Sequence, residues 1–468
     1  MAMITPRHRG TDRAAWIAGV ALLVVLALLG GASRNDIVAQ PIVQLCAIAI
    51  GAFALTRPPS PAAPRVPALA WLIGALGIVM AAQLVPLPPA LWRHLPGHDV
   101  EVAVSDAVAL GGIWRPLSIV PDNTLSALLG IVVPAATVIV LTRIPHRLME
   151  RVMWMIVAVG ALNILVALGQ VATGDGPLFF YRDTAGTVTG LFHNRNHAAI
   201  FLATLPPVFA FVALRMRDRL NRYEPLWAGF ALALALDGFA ILLTGSRIGA
   251  VIFVVTLLGA GAMVVTTPPR KRARVSRPMP AATRGAMIAG IAVVCVALVT
   301  MIAYRDNTSL TRLEATSIEE EGRIGLWQPL LELAGRYFPF GSGFGTFDRA
   351  YRMVEPPTKL RLSYLNHAHN DYLELLLEAG IFGMVLLAVA ILIGARAAIA
   401  AWRTRGPFST ERDLARVGAI VALGLMLGSI SDYPLRTPML AGWMTLALVL
   451  LTARGAASPP GDDGARGI

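Results

Sequence analysis

The chain has 468 residues, of which 56% are hydrophobic and only 15% charged, and its mean hydropathy is +0.64. A soluble domain of this length would carry roughly 25% charged residues, so this composition excludes an ordinary water-soluble fold. The apolar residues fall in long blocks, and the net charge of +12 lies in short clusters beside them, which reads as membrane topology rather than a nucleic-acid surface.

In chain order, spans are predicted near residues 14–31, 37–55, 66–85, 118–141, 151–172, 196–214, 225–243, 248–266, 285–304, 371–395, 413–430 and 437–453. Each is about long enough to cross ~30 Å of hydrocarbon as a helix. The first block follows Arg7, Arg9 and Arg13, as in a secretory leader, but further spans follow at once, so it is read as a retained helix. The expected fold class is all-α: a polytopic integral membrane protein with about twelve transmembrane helices and one large periplasmic loop.

The basic residues test this count. If alternate loops face the cytoplasm, starting with the N-terminus, that side receives 25 of the 40 Lys and Arg residues. Eight of the remaining 15 lie in the loop 305–370, which is long enough to escape the positive-inside bias. Both termini are therefore expected in the cytoplasm. The expected division is 1–304 for nine spans, with a basic linker at 267–284; 305–370 for a periplasmic helical cap; 371–455 for three more spans; and a disordered cytoplasmic tail at 456–468. The linker is read chiefly as a solvated tether, with anionic-lipid binding as its functional alternative. Cys46 and Cys295 both sit in apolar blocks, which excludes a disulfide framework.

Six of the eight histidines, His94, His98, His193, His197, His367 and His369, fall on the outer side of this topology. The stretch NHAHNDYLE (366–374) opens the tenth span. A histidine titrates near neutrality and can take a proton from a hydroxyl. Asp371, Glu374 and Glu378 follow at helical spacing, either as acids at a helix N-terminus or as partners for a histidine or an arginine. TGSRIG (244–249) forms a tight outer turn, where Arg247 is either an interfacial arginine or a fork for phosphate oxygens. GRIGLW (322–327) supplies Arg323. The glycines of PFGSGFGTF (339–347) lack the spacing of a phosphate loop and are read as turns. Trp92 and Trp114, in the proline-rich outer stretch 86–117, read as interfacial anchors. Asp237, inside the seventh span, is read as a packing residue with no chemistry assigned.

These segments, together with HNRNH (193–197) and SDYPLRTP (431–438), resemble the O-antigen ligase and polymerase superfamily of bacterial envelope glycosyltransferases, in order, over about 250 residues. The resemblance implies a GT-C-like membrane transferase that works without a metal or other cofactor. It would take a glycan from undecaprenyl diphosphate at the periplasmic face and pass it, with inversion, to a sugar hydroxyl. The acceptor is lipid A–core in a ligase and another lipid-linked repeat in a polymerase of O-antigen or exopolysaccharide. The other partners expected are membrane lipids, with no nucleic acid. Matched to the family's motifs, Arg247 and Arg323 would bind the diphosphate and His369 would be the general base. Arg195, His197, His367, Asn370, Asp371, Asp432 and Arg436 are supporting candidates. The competing class is a polysaccharide or lipid transporter, disfavoured because no internal repeat is seen and the polar residues collect at one face.

Overall fold

A computed structural model of the chain describes residues 6–33, 38–60, 63–173, 181, 187–220, 224–268, 326–355 and 365–453. The predicted ninth span 285–304, Arg323, linker residues 269–284, tail 456–468 and most of the loop 305–370 lie outside the described residues. What is described is a bundle of helices with one two-residue strand pair, Pro86–Leu87 against Arg115–Pro116, bracketing the outer stretch.

The N-terminal helices are α1 (Pro6–Leu29), α2 (Ala39–Leu55) and α3 (Pro67–Ala82). The outer stretch carries the short α4 (Pro89–Trp92) and α5 (Asp99–Ala107). α6 (Pro121–Gly130), α7 (Val132–Leu141) and α8 (His146–Thr173) follow, then α9 (Arg195–Ala203), α10 (Pro206–Leu220), α11 (Glu224–Thr244) and α12 (Arg247–Thr266). Beyond the undescribed region come α13 (Trp327–Tyr337), α14 (Phe347–Arg352), α15 (Asp371–Arg403), α16 (Thr410–Gly428) and α17 (Pro438–Thr452).

Among the described residues, seven helical segments are long and apolar enough to cross a membrane: 12–29, 121–141, 146–173, 195–218, 226–244, 247–266 and 371–403. α2, α3 and α17 are shorter apolar helices. The protein is therefore an all-α polytopic membrane protein.

Two predicted spans are broken where proline demands it. In 118–141, Pro134 has no N–H to offer the carbonyl four residues back, so the hydrogen-bond ladder lapses between α6 and α7 while Ile131 keeps a helical φ of −62° and ψ of −21°. In 196–214, Pro206 and Pro207 divide α9 from α10. Hydroxyls satisfy groups left free at that break. Thr256 donates to the Ala203 carbonyl, Thr204 to the Phe201 carbonyl at 2.7 Å, and Trp443 Nε1 donates to Thr204 Oγ1 at 2.8 Å. Residues 196–214 of the α9–α10 segment are all buried among their neighbours, and they carry one wall of the site described below.

A third break is functional in placement. Helix α15 bends at Gly380, whose φ of 53° and ψ of −139° leave the helical region. The bend frees carbonyls that the glycine-rich loop then takes up. The Ser342 N–H donates to the Leu377 carbonyl at 2.9 Å and the Gly343 N–H to the Glu378 carbonyl at 3.0 Å. The Ile381 N–H returns a bond to the Pro339 carbonyl at 3.0 Å. Gln83 locks the junction, donating to the Glu378 carbonyl at 2.8 Å and accepting from the Phe344 N–H at 3.1 Å. The glycines of PFGSGFGTF do turn the chain, with φ positive at Gly341, Gly343 and Gly345, but they also let the loop lie against a helix backbone. Above this junction, Leu330, Leu333 and Tyr337 of α13 and Phe347 and Tyr351 of α14 pack with Leu377 and Ala368 into a small separate core. That core seats the described part of the loop 305–370 on the head of α15.

Candidate functional site

The site forms where the heads of α9 and α15 meet the turn between α16 and α17. Asn370 caps α15, accepting from the Tyr372 and Leu373 N–H groups at 3.0 and 3.1 Å. An Asn before a helix favours this geometry because its short side chain reaches the unsatisfied first-turn donors. The cap fixes the residue before it: His369 stands at φ 49°, a left-handed conformation rare for a side-chain-bearing residue. Asn194 caps α9 in the same manner, accepting from the Asn196 N–H at 2.8 Å. The Asp371 N–H donates to the Ser429 carbonyl at 2.9 Å and so pins α15 to the end of α16.

Asp432 is the centre. Its Oδ1 lies 3.5 Å from His369 Nδ1 and 3.5 Å from His197 Nε2. These are ion-pair distances, long for a hydrogen bond. Asn196 Nδ2 donates to its Oδ2 at 2.6 Å and the Tyr433 N–H to its Oδ1 at 2.9 Å. Burial alone would raise the Asp432 pKa, but the two imidazoles facing it hold the carboxyl well below the usual range. Asp432 and His197 are fully buried, whereas the His369 side chain keeps 18% exposure and opens toward the face. His197 is held from its other side by Thr437 Oγ1, 2.7 Å from Nδ1. The Tyr433 ring fills the space between the histidines, with centroids 4.3 Å from His367, 5.0 Å from His369 and 5.1 Å from His197.

Beside this lies a second cluster. Arg436 reaches three carboxylates of α15: Glu378 Oε2 at 2.8 Å, Glu374 Oε1 at 3.3 Å and Asp371 Oδ1 at 3.8 Å. Burial disfavours its charge, but the carboxylates outweigh this and raise its pKa above the ordinary guanidinium value. Glu374 also accepts from the Ala368 N–H at 2.8 Å and pairs with His367 Nδ1 at 2.8 Å. For His367, burial works against the charged form, and the adjacent Glu374 prevails and raises its pKa. Ser429 Oγ donates to Asp371 Oδ2 at 2.8 Å. The i, i+3, i+7 acids therefore clamp one arginine and one histidine.

Arg247 opens α12 on the same face. Ser246 caps that helix, accepting from the Gly249 N–H at 3.2 Å. Gly249 lies so close to α9 that a Cβ there would stand 2.4 Å from the Ala199 Cβ, which sets Arg247 beside the helix that carries Arg195 and His197. The other face carries Arg147 on α8 and a buried knot on α16. In that knot Arg416 pairs with Asp413 at 3.2 Å and also donates to the carbonyls of Ala401 and Thr404 at 3.1 and 2.8 Å.

Residues 230–388 match the family model described as O-antigen ligase. The match, over about a third of the chain, supports the O-antigen ligase/polymerase family. The matched stretch of the O-antigen ligase domain includes Arg247, Arg323, His367 and His369. Asp432, Arg436 and His197 lie outside it, and the fold brings them to His369 and to the acids of α15. No match was found among curated proteins.

Of the residues expected from sequence, His197, His367, His369, Asn370, Asp371, Asp432 and Arg436 come together in the two clusters. Arg195 and Arg247 head neighbouring helices on that face, and Arg323 is outside the described residues. Sequence reasoning assigned no role to Asn196, Tyr433, Thr437 or Ser429. Each sits within a quoted motif or next to one, but only the tertiary contact gives it a function.

Proposed function

We propose that the protein is an O-antigen ligase-like glycosyltransferase of the bacterial inner membrane, acting at the periplasmic face. It moves a glycan from undecaprenyl diphosphate to a hydroxyl of lipid A–core, with inversion. The observation that carries this reading is His369 at the partly open edge of the site, with its Nδ1 turned to the buried Asp432 at 3.5 Å. That arrangement leaves Nε2 available to an acceptor hydroxyl.

In this mechanism His369 takes the acceptor proton as the sugar oxygen attacks the anomeric carbon. The carbon–oxygen bond to the diphosphate breaks on the opposite side, and the prenyl diphosphate leaves with the electron pair. Asp432 stabilises the imidazolium that forms and fixes the ring's orientation, as a carboxylate does for a general-base histidine elsewhere. Arg247 and Arg323 bind the diphosphate and stabilise its growing charge, an effect worth on the order of 3–4 kcal/mol per donor. Arg195 supports them. Arg436, occupied by three carboxylates, acts by holding the head of α15 in place rather than by meeting phosphate. The periplasmic assignment rests on the cytoplasmic bias of the basic clusters, with Arg147, Arg151 and Arg416 at the face opposite His369.

A polymerase would use the same donor chemistry with a lipid-linked acceptor. Purified protein supplied with undecaprenyl-diphosphate repeat units, with and without lipid A–core, separates the two on a gel. The proposal expects product only when lipid A–core is present. A ladder from lipid-linked units alone makes the protein a polymerase, and no product with either acceptor removes the glycosyl-transfer reading.

A further inference from the structure

Next to Asp432 stands a second histidine that the transfer mechanism does not use. His197 lies in the first turn of α9 and is fully buried, whereas His369 is partly open. Its Nε2 faces Asp432 Oδ1 at 3.5 Å and has no closer partner among the described residues. Its Nδ1 lies 2.7 Å from Thr437 Oγ1, directly before α17.

These contacts fix where the protons are. A carboxylate only accepts, so the ring nitrogen facing Asp432 carries a proton. The Thr437 hydroxyl is fully buried and has no other acceptor among the described residues, so it donates to His197 Nδ1. A ring that accepts at Nδ1 and donates at Nε2 has one arrangement of its protons, and here the bond made by one nitrogen sets the other.

We propose that His197 and Thr437 are positioning residues for the base: Thr437 fixes the His197 proton on Nε2, and that N–H holds Asp432 Oδ1 where it orients His369. Asn196 Nδ2 holds the other carboxylate oxygen at 2.6 Å, and the Tyr433 N–H meets Oδ1 at 2.9 Å. The plane of the carboxylate is thereby fixed from three elements. His369 then keeps its own proton on Nδ1, and its Nε2 lone pair is left for the acceptor hydroxyl. The inference rests on the glycosyl-transfer reading and adds to it the residues that set the proton positions behind the base. With its proton on Nδ1 instead, His197 would turn a lone pair toward the carboxylate and push Oδ1 away from this place. The loss would fall on turnover, because the arginines assigned to the diphosphate are untouched.

The test uses the full chain in nanodiscs, with the undecaprenyl-diphosphate donor and lipid A–core. His197→Phe keeps a ring edge-on to Tyr433 but has no N–H. Its kcat should fall about tenfold with donor KM unchanged, the scale of one hydrogen bond to a charged group. His197→Gln keeps an N–H within reach of Asp432 and should turn over faster than His197→Phe. A residue that only fills space gives the reverse order, and that order overturns the proposal. Thr437→Val should lower kcat in the same way, and Thr437→Ser, which keeps the hydroxyl, should restore it. Wild-type turnover in Thr437→Val, or equal loss in both, also overturns it.

The proton positions can be read without a transfer assay. With the histidine ring nitrogens labelled with nitrogen-15, the His197 signals, assigned by their loss in His197→Gln, should show the proton on Nε2 in the wild type. Thr437→Val should show a mixture of the two forms. A proton on Nδ1 in the wild type, alone or together with one on Nε2, overturns the proposal. The expected form in a protein that transfers no glycan would keep the hydrogen-bond chain and remove the transfer reading, so the two failures are distinguishable.

Discussion

Two charged knots stand at opposite faces of the bundle, and they are built to different standards. The Arg416 knot is closed: its guanidinium is fully buried and meets Asp413, two backbone carbonyls and the Thr267 hydroxyl at 3.2 Å. The Asp432 knot is open. One carboxylate faces two histidines at 3.5 Å, and neither His369 Nδ1 nor His197 Nε2 has a closer hydrogen-bond partner among the described residues. A buried polar group left loosely satisfied costs stability, so an arrangement of that kind persists for chemistry rather than for holding helices together. The closed knot is a staple between α12, α15 and α16; the open one keeps a proton acceptor oriented and accessible.

This contrast predicts that the two knots fail differently. The largest effect is expected at His369→Gln, which removes the base and should lower transfer by roughly 10²–10⁴-fold while leaving thermal stability within error. Asp432→Asn should approach the same loss in turnover, because an amide neither stabilises an imidazolium nor fixes the ring, and KM for the donor should hold. If His369→Gln transfers at the wild-type rate, the open knot is not the catalytic one.

The reverse pattern is expected at Arg416→Met. Removing one partner of a buried ion pair strands the other and costs about 3–5 kcal/mol. The denaturation midpoint should fall sharply, and the protein that remains folded should keep its turnover per molecule. A variant as stable as the parent but inactive would move the Arg416 knot into the functional machinery.

Gly380→Ala sharpens the comparison at a site that is structural but lies two residues from Glu378. An added Cβ would meet the Pro339 carbonyl at 2.0 Å, and φ of 53° is costly for any residue with a side chain. Strain of about 1–3 kcal/mol is expected from the backbone alone, and more from the clash. The bend, the glycine loop and the Arg436 clamp should loosen together, which hydrogen exchange at Ser342, Gly343 and Ile381 would report. Unchanged protection there would show that the bend is not held by Gly380.

What could be read before folding divides along the same line. The spans were legible because twenty-residue apolar blocks and arginine clusters are local features. The histidines and arginines of the site stood out as polar residues at membrane entries, and Asn370 before an acidic helix start was readable as a cap. The Gly380 bend was not legible, because its cause is a loop some forty residues earlier whose N–H groups take up the Leu377 and Glu378 carbonyls. Nor was the sharing of Asp432 between His197 and His369, since the three lie on separate elements and meet only after α9 and the α16–α17 turn pack on α15. The role of Arg436 shifted for the same reason: sequence shows a cation at the right face, and geometry shows that Asp371, Glu374 and Glu378 already surround it.

The smallest effect expected concerns His367, which belongs to the clamp and touches the open knot only through Tyr433. Its pKa is raised because Glu374 overcomes the cost of burying the imidazolium. A histidine whose folded-state pKa lies above its unfolded value adds stability that is fully present below the unfolded value and disappears as pH climbs through the folded one. The stability difference between wild type and His367→Gln should therefore be widest in acid, at about 1–3 kcal/mol for a hydrogen bond to a charged group, and should close above neutrality. Thermal midpoints of the two proteins across pH 5–9 measure it. A gap that stays constant over that range would mean that His367 acts as a neutral packing residue, and the charge pairing on α15 would then reduce to Arg436 alone.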